Sequence, residues 1–311
     1  MNLKTAQKRS EIIQKIRNFF TEKAFLEVET PILNKIPGME PYLSPFETKF
    51  SDGTPLFLNT SPELQMKKLL GQSFGNIFNI TKVFRNGETG GPTHNPEFTM
   101  LEWYRKNANY HDLMQDCEDL INYLKPYPKF QKFSTRELFQ TYCNIDLLKN
   151  RDFKTFKKTA DIKGYDTNAC ENWDDIFFKL FLNHIESELG KKAPTVVYDY
   201  PATQAALAKK SETEPFFAER FELYIDGIEL ANAFSELTDP AEQRTRLKAE
   251  QEERKKLGKK VFPIDEEFLA SLESISQPCA GIAMGVDRLI MVLLGKESIN
   301  EVIFFPYGNH N

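Results

Sequence analysis

The sequence predicts an α+β fold, with a mixed, largely antiparallel sheet flanked by helices. Three observations carry this reading. Strand-like segments follow one another through short turns instead of alternating with helices as βαβ units. Amphipathic helical patterns stand outside these strand clusters. No G-x-x-x-x-G-K-[ST] loop occurs, so any nucleotide phosphates would have to be gripped by side chains.

Ile12, Ile16, Phe19 and Phe20 recur at helical spacing among charged residues, which predicts an amphipathic helix over about residues 5 to 24. The segment FLEVETPIL follows, and Pro31 excludes a helix interior there, as at a strand edge or an interface turn. From 42 to 84, strand-like LSPFETKF, PLFLNT and NIFNITKVF surround a helix, PELQMKKLL, whose first turn suits Pro62. Residues 97 to 105 read as another strand, and Leu113, Cys117, Leu120 and Leu124 mark a second amphipathic helix. The stretch 125 to 190, with its PYPKF turn and weakly patterned helices, reads as an insertion. TVVYDYP, ERFELYIDG and IELANAFSEL are then three strands, the last two joined at Asp226 and Gly227 as a hairpin. The last element starts at GIAMGVDR and runs into an apolar helix, LIMVLL.

A length of 311 residues suits one or two domains, and 41% hydrophobic with 27% charged residues excludes wholesale disorder. With 45 acidic and 40 basic residues the net charge is −5, which disfavours a nucleic acid as the main partner. The basic stretch KAEQEERKKLGKK at 248 to 260 is expected to be a solvated helix face. Cys117, Cys143, Cys170 and Cys279 lie far apart without zinc-site spacing, so they are expected as reduced thiols. The N-terminus lacks the apolar run of a signal peptide and no segment reaches the ~20 apolar residues of a membrane span, which places the protein in the cytoplasm.

Three segments could carry chemistry. FRNGETGGPTHNPEFTMLEWY, 84 to 104, is a strand, a glycine-rich polar loop and a returning strand. Arg85 ends the first strand, and its planar fork suits phosphate or carboxylate as well as an ordinary surface ion pair. ERFELYIDGIELANAFSEL, 219 to 237, is a hairpin carrying Glu222, Glu229 and Glu236. Glu222 and Glu229 sit on strands that fold back on each other, where they could converge on a magnesium-bound triphosphate or simply form a solvated sheet face. GIAMGVDRLIMVLLG, 281 to 295, has Gly281 and Gly285 where a backbone could approach a flat ligand, and Arg288 in the first turn of the next helix. A packing turn with an ion-paired arginine is the plainer alternative.

Taken together, the segments resemble the signature motifs of class II aminoacyl-tRNA synthetases: FLEVETPIL motif 1, residues 84 to 104 motif 2, and residues 281 to 295 motif 3. SPELQMK, HNPEFTMLEWY and ELANAFSEL are similar to the lysine branch. The resemblance covers about residues 10 to 306 and implies the class II catalytic core as a single domain over 1 to 311, with 125 to 190 inserted. Pro31 of motif 1 comes almost at once, so no anticodon-binding domain is expected. The resemblance implies ATP as substrate with Mg2+, activation of (R)-β-lysine or lysine as an adenylate, and transfer to a lysine of elongation factor P. It also implies a homodimer. A truncated lysyl-tRNA synthetase and a non-catalytic regulatory paralogue are the alternatives.

Residue by residue, the resemblance implies Arg85 and Arg288 as catalytic grips on the α- and γ-phosphates and Phe98 stacked on adenine. Asn86 and Glu88 would lie near the adenine, Leu230 and Gly285 would line the nucleotide site, and His94 would touch the triphosphate. Glu222 and Glu229 would hold magnesium, Glu229 also counting among the ATP-binding residues. For the amino acid, Glu63 would meet the backbone amine, Arg85 and Asn232 the carboxylate, and Glu102, Tyr104 and Glu236 the side-chain ammonium. Ser61, Pro62, Asn95, Phe234 and Ala283 would complete the pocket. Two carboxylates and a phenol can satisfy all three ammonium donors. Motif 2 departs from the family by Gly87 between Asn86 and Glu88. Ala233 and Ala283 stand where lysyl-tRNA synthetases usually have glycine, and the Ala283 methyl would crowd an α-amine more than a β-amine.

Overall fold

The computed structural model describes residues 1 to 89 and 91 to 308; Gly90 of the motif 2 loop and residues 309 to 311 lie outside the described residues. The chain forms two compact units, Met1–Lys125 with Glu236–Asn311, and Pro126–Ser235.

The first unit begins with α1 (Leu3–Glu22), which buries Ile16, Phe19 and Phe20. Its end is two residues earlier than the apolar pattern suggests, because Ala24 takes a left-handed φ of 59°. The Phe25 N–H then returns to the Phe20 carbonyl at 2.9 Å and the Ala24 N–H to Thr21 at 3.0 Å, a Schellman stop made without glycine. The short strands β1 (Leu26–Glu27) and β2 (Leu33–Asn34) follow, then β3 (Glu47–Lys49), β4 (Pro55–Leu58), α2 (Glu63–Gly71), β5 (Ile77–Phe84), β6 (Glu97–Lys106) and α3 (Tyr110–Leu124). Pro62 occupies the cap position just before α2.

In the second unit come β7 (Gln131–Ser134), α4 (Thr135–Leu138), α5 (Phe153–Ile162), α6 (Trp173–His184), β8 (Thr195–Pro201), β9 (Phe217–Ile225) and β10 (Ile228–Ser235). The first unit resumes with α7 (Pro240–Lys256), α8 (Glu266–Glu273), β11 (Cys279–Gly285) and α9 (Val286–Leu293).

Within the first unit β5, β6 and β11 pair antiparallel and β1 joins β5 in parallel, while β2, β4 and β3 make a small antiparallel sheet. Side chains alternate across β6. Trp103 turns to α1, where Phe20 lies 5.1 Å from it and 4.9 Å from Phe78. Glu102 and Tyr104 therefore face the other way, toward α2, whose Met66 and Leu70 pack with Tyr104 and Ile77. The register sets Ala283 opposite Glu102 and Gly281 opposite Tyr104.

In the second unit β8, β9 and β10 are antiparallel and β7 runs parallel to β8. Asp226 and Gly227 both have positive φ, 53° and 75°, as a two-residue type I′ hairpin requires. The segment that reads as weak helices builds a substantial interior against the sheet: Phe139, Phe156, Phe177 and Phe181 are all buried in one cluster with Tyr200 of β8. Its helices of four, ten and twelve residues, with a π turn at Phe139–Cys143, are too short for a clear period.

The mostly antiparallel α+β fold is as the sequence predicts. The basic stretch on α7 corrects the expectation of a wholly solvated face, since Arg254 is 2% exposed. It donates to the carbonyls of Lys260, Glu40 and Leu43 at 2.7, 2.8 and 3.0 Å, and Phe262 lies under it. The four cysteines are buried thiols outside any disulfide. Among the described residues no helix is long and apolar enough to cross a membrane.

Candidate active site

The first unit gathers three carboxylates, two of them paired with one lysine. α2 starts at Glu63, and the helical i, i+4 spacing brings Lys67 back over it with Nζ 2.6 Å from Oε1. The same Nζ is 2.6 Å from Glu236 Oε2. Lys67 and Glu236 are almost wholly buried, at 1% and 5% exposure. Burial alone would favour a neutral amine, but the Glu236 and Glu63 carboxylates outweigh it and hold Lys67 as the ammonium. Glu236 Oε1 has no hydrogen-bond partner among the described residues.

Glu102 stands on β6 at 1% exposure. It accepts from Ser61 Oγ at 2.6 Å and from the Tyr104 hydroxyl at 3.4 Å. Ser61 Oγ also takes the Glu63 N–H at 3.0 Å, so one hydroxyl ties the start of α2 to β6. Burial, with Glu63 adding to it, pushes the Glu102 carboxyl up to about 8. Burial likewise pushes Glu236 up to about 8 against the pull of Lys67. Burial, then Glu102, drives the Tyr104 phenol well above its ordinary value, so it stays a donor. Gly281 is required here: a Cβ would stand 2.2 Å from Tyr104 Cε1 and 2.6 Å from Glu236 Oε1. The glycine makes room for these side chains and not, at this position, for a flat ligand. Ala283, opposite Glu102, is half-buried.

A second group in this unit is built from two arginines. Arg85 donates Nε to the Thr60 carbonyl at 3.3 Å, pairs with Glu88 at 3.3 Å, and lies 5.2 Å from the Phe98 ring centroid. The backbone of Asn86 is held by Ser44 at 2.8 Å while its side chain is exposed. Arg288, one turn into α9 after Gly285, donates Nε to the Thr93 carbonyl at 3.2 Å and approaches His94 Nε2 at 2.8 Å. Arginine only donates, so His94 Nε2 accepts and its proton sits on Nδ1, 3.2 Å from Thr93 Oγ1. Burial and the Arg288 charge lower the His94 pKa, keeping it neutral. His94 is therefore half-buried and bonded, not a solvated loop histidine. Asn95 is engaged by backbone at both ends, donating to the Glu97 carbonyl at 2.6 Å and accepting from Tyr307 at 2.9 Å.

In the second unit a bulge at Leu230 sets Glu229 opposite Tyr224 and Asn232 opposite Glu222, although they are three residues apart. Glu222, Tyr224, Glu229, Asn232 and Phe234 therefore share one face. Glu222 accepts from the Tyr200 and Tyr224 hydroxyls at 2.5 and 2.6 Å and from Arg220 at 2.6 Å. A carboxylate has about four lone-pair directions, so one is left for a further ligand. Glu222 and Glu229 alone suit Mg2+ held through two carboxylates and completed by phosphate oxygens. Among the described residues no group of three or more metal-ligating side chains is assembled.

Lys67 and Arg220 are central to these clusters, yet sequence reasoning missed both. Lys67 was legible as an i, i+4 partner of Glu63; Arg220 only as the residue two before Glu222 on a strand.

Comparison with known proteins identifies the family. Residues 2 to 309 match the tRNA synthetases class II (D, K and N) family. The chain is 43% identical to the elongation factor P (R)-β-lysine ligase of Avibacterium paragallinarum, covering 99% of this chain and 97% of that protein. It is 42% identical to the ligases of the same name from Haemophilus influenzae (99% and 96% covered) and Proteus mirabilis (96% and 94% covered). A full-length family match, relatives far above 30% identity and an α+β fold with a mostly antiparallel sheet all agree, and this chain belongs to the class II tRNA synthetases of the D, K and N group.

Proposed function

We propose that this chain activates (R)-β-lysine, or lysine, with ATP and transfers it to a lysine side chain of elongation factor P. One observation supports the choice of substrate above the rest. Glu63 and Glu236 pair with the buried Lys67, and a third carboxyl, Glu102, is buried within electrostatic reach of Glu63 and Lys67. Burial pushes the Glu102 and Glu236 carboxyls up to about 8, and an ammonium brought to them would favour their ionised forms, so the cluster is complementary to a further ammonium. An uncharged isostere would leave these carboxylates unpaired, which rejects it strongly. The names of the relatives support the acceptor.

In this reading the amino-acid carboxylate attacks the α-phosphate, forming the adenylate and releasing pyrophosphate. Arg85 and Arg288 meet the charge that develops on the phosphates. Phe98 offers a face to adenine beside Asn86 and Glu88, with Leu230 and Gly285 along the nucleotide. His94 keeps Arg288 oriented. Glu222 and Glu229 would hold Mg2+, which would screen the triphosphate. Glu63 takes the backbone amine, Asn232 with Arg85 the carboxylate, and Glu102, Tyr104 and Glu236 the distal ammonium. Ser61, Pro62, Asn95, Phe234 and Ala283 shape the pocket. The acceptor lysine amine then attacks the adenylate carbonyl, an amide forms, AMP leaves, and the amine loses a proton. No nucleophile of this chain is needed. We take residues 1 to 311 as one catalytic domain with 125 to 190 inserted, working in the cytoplasm. Exposed Leu26, Ile32 and Leu33 of motif 1 support a homodimer.

The test is a transfer assay with labelled lysine isomers, ATP, and either tRNA for lysine or elongation factor P with its acceptor lysine intact or changed to arginine. Rapid labelling of the intact factor alone is expected. Faster labelling of tRNA would return the chain to a truncated lysyl-tRNA synthetase. Loss of amino-acid-dependent pyrophosphate exchange in folded Arg85→Ala and Arg288→Ala is the companion result, and near-normal exchange would exclude the motif 2 and motif 3 roles.

A further inference from the structure

Arg220 has no part in the assignments above, yet its guanidinium makes three hydrogen bonds from β9. Nε lies 2.9 Å from Asn232 Oδ1, Nη2 2.6 Å from Glu222 Oε1, and Nη1 3.0 Å from the Gln204 carbonyl. The Tyr200 ring lies under it at 4.4 Å, and the arginine side chain is only 13% exposed. An arginine has donors and no acceptor, so it can hold Asn232 only by the amide oxygen. The NH2 end of that amide is then turned away from Arg220. That end is the one able to donate to an anion.

We propose that Arg220 is a positioning residue for the amino-acid carboxylate, acting by locking the Asn232 amide with its NH2 outward. The inference rests on the reading that Asn232 meets the substrate carboxylate. Without Arg220 nothing holds the amide oxygen, and the NH2 is drawn to Glu222, its cross-strand neighbour, so that the oxygen turns toward the carboxylate. The fork that fixes Asn232 also fixes Glu222, so the two ligand-facing groups on this sheet face share one brace. A lysine side chain offers a point charge without this fork and can keep only one of the two contacts in place.

The experiment measures binding calorimetrically, without ATP, using lysine, (R)-β-lysine and 1,5-diaminopentane, a diamine with no carboxylate. Arg220→Met and Asn232→Ala should each weaken amino-acid binding by about 10 to 100-fold, the range for a hydrogen bond to a charged group. The diamine should bind all variants equally. The double variant should be no weaker than either single one, because both remove the same contact. Arg220→Lys, which keeps a charge beside Glu222, should show the same selective loss to a smaller degree and serves if Arg220→Met fails to fold. Parallel weakening of diamine and amino acid would mean a merely structural role and overturn the proposal. So would additive losses in the double variant, or an Arg220 variant that binds amino acid normally while Asn232→Ala does not. Normal binding by Asn232→Ala would instead overturn the carboxylate reading beneath it.

Discussion

Gly281→Ala adds a single methyl at the most crowded point of the carboxylate cluster. The new Cβ would lie 2.2 Å from Tyr104 Cε1, 2.6 Å from Tyr104 Cδ1 and 2.6 Å from Glu236 Oε1. All three separations are below van der Waals contact, and Tyr104 is 2% exposed, so its ring cannot swing out into solvent to avoid the methyl. Overpacking of this kind costs about 1 to 3 kcal/mol, and each kcal/mol lowers Tm by about 2 to 4 °C in a chain of a few hundred residues. Relief of the clash has to displace Tyr104 or Glu236. The KM for the amino acid should therefore rise while that for ATP changes little, since Arg85 and Arg288 are not touched. Gly75→Ala is the control, because its added Cβ would meet no atom within 4 Å. Thermal unfolding and amino-acid-dependent pyrophosphate exchange on both variants decide the matter. If Gly281→Ala keeps the parent Tm and amino-acid KM, β11 yields enough to absorb a methyl and the packing argument is wrong.

Three further outcomes are expected. Ala283→Gly, opposite Glu102, should improve activation of α-lysine relative to (R)-β-lysine, one methyl being worth about 1 to 3 kcal/mol or 10 to 200-fold; an unchanged ratio of specificity constants would remove Ala283 from the selectivity. Glu102 and Glu236 are both pushed from 4.5 up to about 8, so the folded protein keeps protons that the unfolded chain has released. Their contribution therefore makes stability fall as pH rises from 4.5 to about 8. An ammonium ligand should reverse this and release protons on binding at pH 7, and calorimetry in buffers of different ionisation enthalpy showing no release would contradict it. Lys67→Met strips the cation from Glu63 and Glu236 and should cost about 3 to 5 kcal/mol at pH 8 by denaturant unfolding, because buried carboxylates lose their partner. The loss should shrink toward pH 5 as Glu236 protonates, and a pH-independent loss would point to packing instead.

The hairpin at Asp226 and Gly227 was legible because a two-residue turn with positive φ leaves few residue choices. The strand from 97 was legible from its apolar and aromatic residues, and the helix after Gly285 because LIMVLL is a continuous apolar run after a glycine-bearing turn. The interior of the 125 to 190 stretch was not, since helices of four to twelve residues separated by a π turn give no sustained period. Arg254 shows the opposite failure: a run of charges looks solvated, and only a fold that brings the carbonyls of Glu40 and Leu43 to it reveals a buried clamp.

By itself the sequence determined the α+β class, the motif segments and the residue types able to grip phosphate and ammonium, because strand alternation, turn chemistry and short motifs are local properties of the chain. Tertiary structure alone decided which charges far apart along the chain share a partner. Lys67 is set between Glu63 and Glu236, 169 positions further along the chain from Lys67, and Gly281 is required only because β11 lies beside Tyr104. Burial and counter-charge act through space over a few ångströms, and no pattern along the chain records which distant residue will supply them.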